Sequence, residues 1–264
     1  MKILGFVFVF MSTIAFAQEK IFLYPENKAA DSPFIESFKA AKPNGITILV
    51  CPGGGYSHLA VDHEGKDVAK FYNQNGFDAW VLHYRVNEDG KHEYRFPDQY
   101  DDVTTALRLV KSKAKDAKKV GIIGFSAGGH LASMGATMDS QNSRPAFAML
   151  IYPVIAMNGE IAHQGSRENL IGKNPTDQLA DSLSTQNRID KNTPPTFIVY
   201  STDDDVVMVE NGLEFYKALH KNNVPATIHI FDHGGHGYGL SPKDPVINSW
   251  GKLSVDWIKS LNLK

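Results

Sequence analysis

An apolar run, Val120-Gly121-Ile122-Ile123, drives straight into Gly124-Phe125-Ser126-Ala127-Gly128, and small residues at helical spacing follow. This stretch constrains the chain more than any other. A β-type run entering Gly-x-Ser-x-Gly and leaving as a helix is the sequence form of a nucleophile elbow, a sharp strand-to-helix turn that lifts a serine above a sheet edge. The serine of such a turn takes a strained, positive-φ backbone. Gly124 and Gly128 beside it let the backbone pass without Cβ clashes. The new helix brings its N-terminus, and the free N–H of Ala127, next to Ser126.

An elbow needs a sheet to stand on, and the remaining pattern supplies one. Ile46–Cys51, Phe77–Tyr84, Val120–Phe125, Ala146–Tyr152, Thr196–Ser201 and Ala226–Phe231 read as strands, with a short β-type run at Lys20–Tyr24. The near-continuous apolar character of the inner runs is that of parallel strands buried on both faces. Between them, Glu64–Asn75, Asp101–Ala114, Ala127–Met138, Glu210–Lys221 and Val246–Leu261 carry apolar residues at helical spacing. Residues 25–43, rich in Asn, Asp, Ser and Pro, read as irregular, and 154–193 reads as an insertion over the active face with helical pieces near 169–171 and 179–183. Alternating strands and helices predict a doubly wound, mostly parallel sheet of about six to eight strands with helices on both faces. The 264 residues suffice for one such domain, expected over 18–264.

The N-terminus is expected to be something else. Lys2, an apolar stretch from Ile3 to Phe10, and Ala15-Phe16-Ala17 before Gln18 form a signal-peptide pattern over 1–17, with cleavage between Ala17 and Gln18. It is short for a membrane span, and no cysteine near the cleavage point offers a lipid anchor. A periplasmic or secreted protein follows as the expectation, with no membrane attachment after cleavage. The single cysteine, Cys51, excludes an internal disulfide framework. A formal net charge of −2 without a basic patch argues against a nucleic-acid partner.

Right-handed crossovers put the loops after the strands on one rim, and the chemically interesting residues fall in those loops. Gly53-Gly54-Gly55 follows one strand, Ser126 another, Asp203-Asp204-Asp205 a third, and Gly234-Gly235-His236-Gly237 a fourth. Serine is a poor nucleophile without a base, and imidazole can take and return its proton near neutrality. His236, on a bendable glycine-rich loop, is the candidate base, with His233 in reserve. Asp204 is the candidate carboxylate to orient the ring, with Asp203 in reserve. The triglycine offers backbone N–H groups that, with that of Ala127, would bind a developing oxyanion, where loss of one donor costs roughly 3–4 kcal/mol in other hydrolases. The remaining histidines, His63, His130 and His163 among them, read as structural or surface residues. No pair of them has zinc spacing with a third ligand, so neither metal nor cofactor is expected.

Pro-Gly-Gly-Gly-Tyr at 52–56, His63-Glu64-Gly65, Tyr84-Arg85, Gly-Phe-Ser-Ala-Gly-Gly-His at 124–130, Tyr-Pro-Val-Ile at 152–155, Asp-Asp-Asp-Val-Val at 203–207, Val-Glu-Asn at 209–211 and Gly-Gly-His-Gly-Tyr-Gly at 234–239 run over nearly the whole chain. In these the chain resembles the α/β-hydrolase superfamily, and within it bacterial esterases of the acetylxylan and feruloyl esterase kind. The resemblance implies Ser126 as nucleophile, Asp204 as acid, His236 as base, and Gly54, Gly55 and Ala127 as oxyanion donors. It implies a serine carboxylic-ester hydrolase acting on an acylated carbohydrate, with acetyl favoured and feruloyl the alternative. A non-catalytic carbohydrate-binding protein on a hydrolase scaffold is the alternative of another class, and predicts a damaged triad position. Tyr56, His58 and the 154–193 insertion are the expected pocket walls. The short N-terminal part leads us to expect a trimmed antiparallel edge.

Overall fold

The computed structural model describes residues 18–26, 29, 31–88, 91–138 and 143–263. The expected signal segment, 1–17, lies outside the described residues. Among the described residues, eight strands form one sheet: β1 (Lys20–Phe22), β2 (Phe34–Phe38), β3 (Thr47–Cys51), β4 (Asp78–His83), β5 (Val120–Phe125), β6 (Ala148–Ile151), β7 (Thr196–Ser201) and β8 (Ala226–Phe231). Their order is β1-β2-β4-β3-β5-β6-β7-β8. From β4 to β8 all neighbours are parallel, whereas β1–β2 and β2–β4 pair antiparallel. This is the doubly wound, mostly parallel sheet of an α/β-hydrolase.

The edge expected to be trimmed is present, and it contains the one strand that the sequence pattern hides. β2 lies inside 25–43, between Pro33 and Lys39, and takes its form from its neighbour: Ile35 stands opposite Leu82 and Ser37 opposite Trp80. Ile35 and Phe38 are buried. A five-residue strand flanked by turn formers shows too little alternation to be read alone, and pairing decides its conformation.

Among the described residues, seven α-helices accompany the sheet: α1 (Asp67–Gln74), α2 (Asp98–Lys113), α3 (Ser126–Thr137), α4 (Gln164–Ile171), α5 (Asp177–Leu183), α6 (Glu210–Lys221) and α7 (Pro245–Ser260). Successive residues of β5 serve opposite faces, as strand geometry dictates. The Phe125 ring meets Trp250 of α7, while Ile122 looks to Gly135 of α3. α1 and α7 share the first face, tied by Tyr72 Oη and Ser254 Oγ at 2.8 Å. α2 and α3 share the second, where Gly135 lets α3 approach Leu107 and Val103 closely. Strands β3, β5, β6 and β7 are buried throughout, so the core runs along the middle of the sheet.

One expected helix is divided. Glu64–Asn75 resolves into a π-helical turn, Asp62–Lys66, followed by α1. π-turns often accompany functional sites because the wider turn re-aims a side chain. Here it leaves Glu64 buried, with its carboxylate toward the rim of the sheet. The 154–193 segment holds α4, α5 and a 3₁₀ turn, Thr185–Arg188.

Candidate active site

The elbow is built by close backbone approach. Ser126 opens α3 with φ +51°, in the left-handed region that the motif predicts. A Cβ on Gly124 would lie 2.1 Å from the Gly128 carbonyl oxygen, and one on Gly128 would lie 2.2 Å from the carbonyl oxygens of both Cys51 and Pro52. The two motif glycines therefore let the helix start press against its own strand and against the exit of β3. That contact sets the serine beside the triglycine.

The loop after β7 brings Asp204 in, and the loop after β8 brings His236. His236 Nε2 lies 2.8 Å from Ser126 Oγ, and His236 Nδ1 lies 2.7 Å from Asp204 Oδ2. A carboxylate only accepts, so Nδ1 carries the proton, and Nε2 of the neutral ring is left to accept from the serine hydroxyl. Asp204 is buried, and its other oxygen accepts the N–H groups of Val206 (3.0 Å) and Val207 (2.8 Å). The two valines after the acidic run thus supply the amides that pin the acid. Asp203 does different work: it accepts from Gly234 N–H (3.2 Å) and Gly235 N–H (2.8 Å), bracing the histidine loop. Asp205 is exposed. His233 lies away from the serine, bonded to Asp232 and Asp244.

Gly54 and Gly55 line the same cavity as Ser126 and His236. No group among the described residues accepts the N–H of Gly54, Gly55 or Ala127. These amides stay available to a ligand oxygen. The cavity measures about 380 Å³ and is walled by His58, His63, His163, Asn169 and Val206 as well. That is the small end of the range for ligand sites. α4 is fastened to the triglycine loop, since Asn169 Nδ2 donates to the Gly55 carbonyl at 2.8 Å. His163 caps α4 and accepts from Ser166. Its burial holds its pKa below the ordinary imidazole value.

Tyr56 corrects an expectation. It is no pocket wall: at φ +60° its ring turns inward and is wholly buried, stacked edge-on to Tyr84 and His130. His130 Nε2 meets the Leu183 carbonyl at 2.8 Å and so bears the proton, which makes Nδ1 the acceptor for the Tyr56 hydroxyl, also at 2.8 Å. Burial pushes the His130 pKa down to about 4. His58 does line the cavity. So do His63 and His163, read from sequence as structural or surface residues, and Asn169, whose segment alone was expected there. No local motif marks His163 or Asn169, and His63-Glu64-Gly65 gives no direction to the His63 ring; they come from a wide π-turn and a short inserted helix whose placement is tertiary.

Other shared motifs find structural tasks around the site. Tyr84 donates to the Pro52 carbonyl at 2.8 Å, under the triglycine. Arg85 clasps Asp102 and Asp98 of α2. Asn211 accepts the N–H groups of Ile155 and Ala156, both at 3.0 Å, and holds the start of the insertion. Among the described residues, no helix is long and apolar enough to cross a membrane, and no group of His, Cys, Asp and Glu could hold a metal ion.

The chain is similar to known proteins. The BD-FAE family model matches residues 37–219. An acetylxylan esterase of Xylanibacter ruminicola is 34% identical over 236 residues, covering 85% of this chain and 47% of that protein. Endo-1,4-beta-xylanase B of Butyrivibrio fibrisolvens is 34% identical over 227 residues, covering 79% of this chain and 35% of that protein. The chain thus spans about half the length, or less, of these curated relatives. Among solved structures, an acetyl ester-xyloside bifunctional hydrolase from Caldicellulosiruptor lactoaceticus superposes with a TM-score of 0.83 at 36% identity, covering 93% of this chain and 97% of that one.

Proposed function

Because the chain belongs to the BD-FAE family, we propose that it is a serine esterase that removes small acyl groups, acetyl foremost, from a polysaccharide or oligosaccharide. The single observation that carries the reading is the unbroken chain Ser126–His236–Asp204, with bonds of 2.8 and 2.7 Å, beside unclaimed amides of Gly54, Gly55 and Ala127. A non-catalytic scaffold would have no reason to keep every link of it.

The geometry supports the following reaction. Ser126 Oγ gives its proton to His236 Nε2 and attacks the ester carbonyl carbon. The carbonyl oxygen becomes an oxyanion facing the Gly54, Gly55 and Ala127 amides. The C–O bond to the sugar breaks as His236 returns the proton to the leaving sugar oxygen. Water, deprotonated by the same nitrogen, then attacks the acyl-serine, the acyl–Oγ bond breaks as His236 returns the proton to Oγ, and the acid departs. Asp204 holds the imidazole in the required tautomer and stabilises the imidazolium in both halves.

For the substrate, the names of the acetylxylan esterase and acetyl ester-xyloside hydrolase relatives support an acetylated carbohydrate. The small cavity supports a short acyl group, and His58, His63, His163 and Asn169 offer ring nitrogens and an amide to sugar hydroxyls. The test is acid release from acetylated xylan, acetylated pectin, feruloylated arabinoxylan and aryl acetates. Acetate release from an acetylated polysaccharide supports the reading; release of ferulate alone moves the substrate, and release of neither sinks it.

Export belongs to the same proposal, supported by the 1–17 pattern. N-terminal sequencing of the protein from its native host should begin at Gln18. A cytosolic form that begins at Met1 would contradict it.

A further inference from the structure

We propose that Glu64 is a positioning residue that locks the oxyanion loop to the histidine loop. The inference rests on the esterase reading, and deepens it by naming what holds the two halves of the site in register.

Glu64 is only 3% exposed, in the π-turn before α1. Its Oε2 accepts the Gly53 N–H at 2.8 Å, at the root of the triglycine. Its Oε1 accepts the Tyr152 hydroxyl at 2.8 Å. Tyr152 Oη in turn accepts the Gly239 N–H at 2.9 Å, just beyond His236. One carboxylate thus joins the loops leaving β3, β6 and β8. Tyr152 is itself held at φ +39°, wholly buried, with its ring centroid 4.8 Å from that of His236. Gly53 is the wedge between the carboxylate and the nucleophile: a Cβ there would lie 2.6 Å from Glu64 Oε2 and 3.0 Å from Ser126 Cβ.

The charge makes a packing role alone an unsatisfactory account. A buried carboxylate is costly unless paired or fully hydrogen-bonded. Among the described residues, no lysine or arginine lies within 4.0 Å of it, and the one group able to carry positive charge there is His63, at 3.8 Å with a side chain 55% exposed. The carboxylate is compensated chiefly by hydrogen bonds from the site's own loops. Those bonds also consume the Gly53 N–H, so that the peptide plane is fixed and the next amides, of Gly54 and Gly55, are presented to the cavity. Loops that must hold oxyanion donors within about 0.5 Å of their productive positions need such second-line support.

The test uses Glu64→Gln, Tyr152→Phe and the double variant of the full chain. For an aryl acetate, kcat is expected to fall about 10- to 100-fold in each single variant, with KM changed less than about threefold. Affinity for an aryl boronic acid, which bonds Ser126 Oγ and sets a tetrahedral oxygen at the oxyanion position, should fall by the same factor as kcat. The double variant should be little worse than the worse single one, because both cut the same bridge. Hydrogen exchange should quicken together at residues 52–58 and 234–240 and stay unchanged in β5. Equal loss of substrate and boronate affinity, additive effects, or exchange altered at one loop only would each overturn the proposal. If the wild type hydrolyses no ester, the functional reading falls, and the exchange result still decides whether Glu64 couples the loops. If Glu64→Gln does not fold, Tyr152→Phe carries the same test.

Discussion

Two neighbouring aspartates take different partners. Asp204 grips the His236 ring nitrogen, while Asp203 grips two amides of the histidine loop. Asp204→Asn should lower kcat about 10⁴-fold, the loss seen when a triad carboxylate becomes an amide and the tautomer is wrong. Asp203→Asn keeps one acceptor oxygen, and its kcat should fall less than about tenfold. Steady-state kinetics on an aryl acetate checks both; a reversed ranking would reassign the acid. His130 makes a pH prediction. Its folded pKa of about 4 lies below the unfolded value near 6.5. The unfolded chain therefore takes the proton first as pH falls. The stability tied to the neutral ring is intact above about pH 6.5 and is lost on the way down to about pH 4. Imidazole NMR should show His130 neutral at about pH 5.5; a half-protonated ring there would contradict the buried, doubly bonded geometry. At this scale the meeting of Ser126, His236 and Asp204 was legible because chemistry limits which residue types can act together and all three fall after strands. Tyr56 was misread because its direction depends on a backbone φ of +60°. Nothing in Gly-Gly-Gly-Tyr says whether the ring swings out to the cavity or in to His130. The Glu64 bridge escaped for a related reason, since its partners, the Gly53 amide and the Tyr152 hydroxyl, meet it only through the tertiary fold.

At the scale of elements, the elbow is a crossing of β3, β5 and α3 that tolerates no side chain at its contact points. Gly128→Ala would set a Cβ 2.2 Å from two carbonyl oxygens. It should destabilise the fold by about 3 kcal/mol or more, read as a drop in urea midpoint, with activity lost even in the folded fraction. A variant as stable and active as the parent would mean the crossing is looser than described. The inner strands were legible almost to the residue: Val120–Phe125 and Thr196–Ser201 have the expected bounds. Parallel strands buried on both faces leave long apolar runs. β2 and the π-turn were illegible for opposite reasons. β2 carries too few residues to show a period and is made by pairing with β4. The π-turn has a helical pattern, and only packing of Gly65 on Pro52 and Val81 separates it from α1.

For the whole molecule, the eight-stranded order places four loops on one rim, and their meeting makes a site from residues 53 to 239 apart in number but adjacent in space. The architecture was legible in the alternation of strands and helices. The antiparallel edge was not, because it depends on the hidden β2. The insertion was rightly expected over the active face, yet which of its side chains reach the cavity is decided by the Asn169–Gly55 bond, a contact across the fold. The claim on which the rest depends is that Ser126 is the nucleophile of an ester hydrolase. The direct measurement is the turnover of an aryl acetate by Ser126→Ala beside the parent, with the fold of both checked by circular dichroism. The account predicts an unchanged spectrum and a kcat lower by about 10⁴-fold or more. A correctly folded Ser126→Ala that turns over within tenfold of the parent would contradict it.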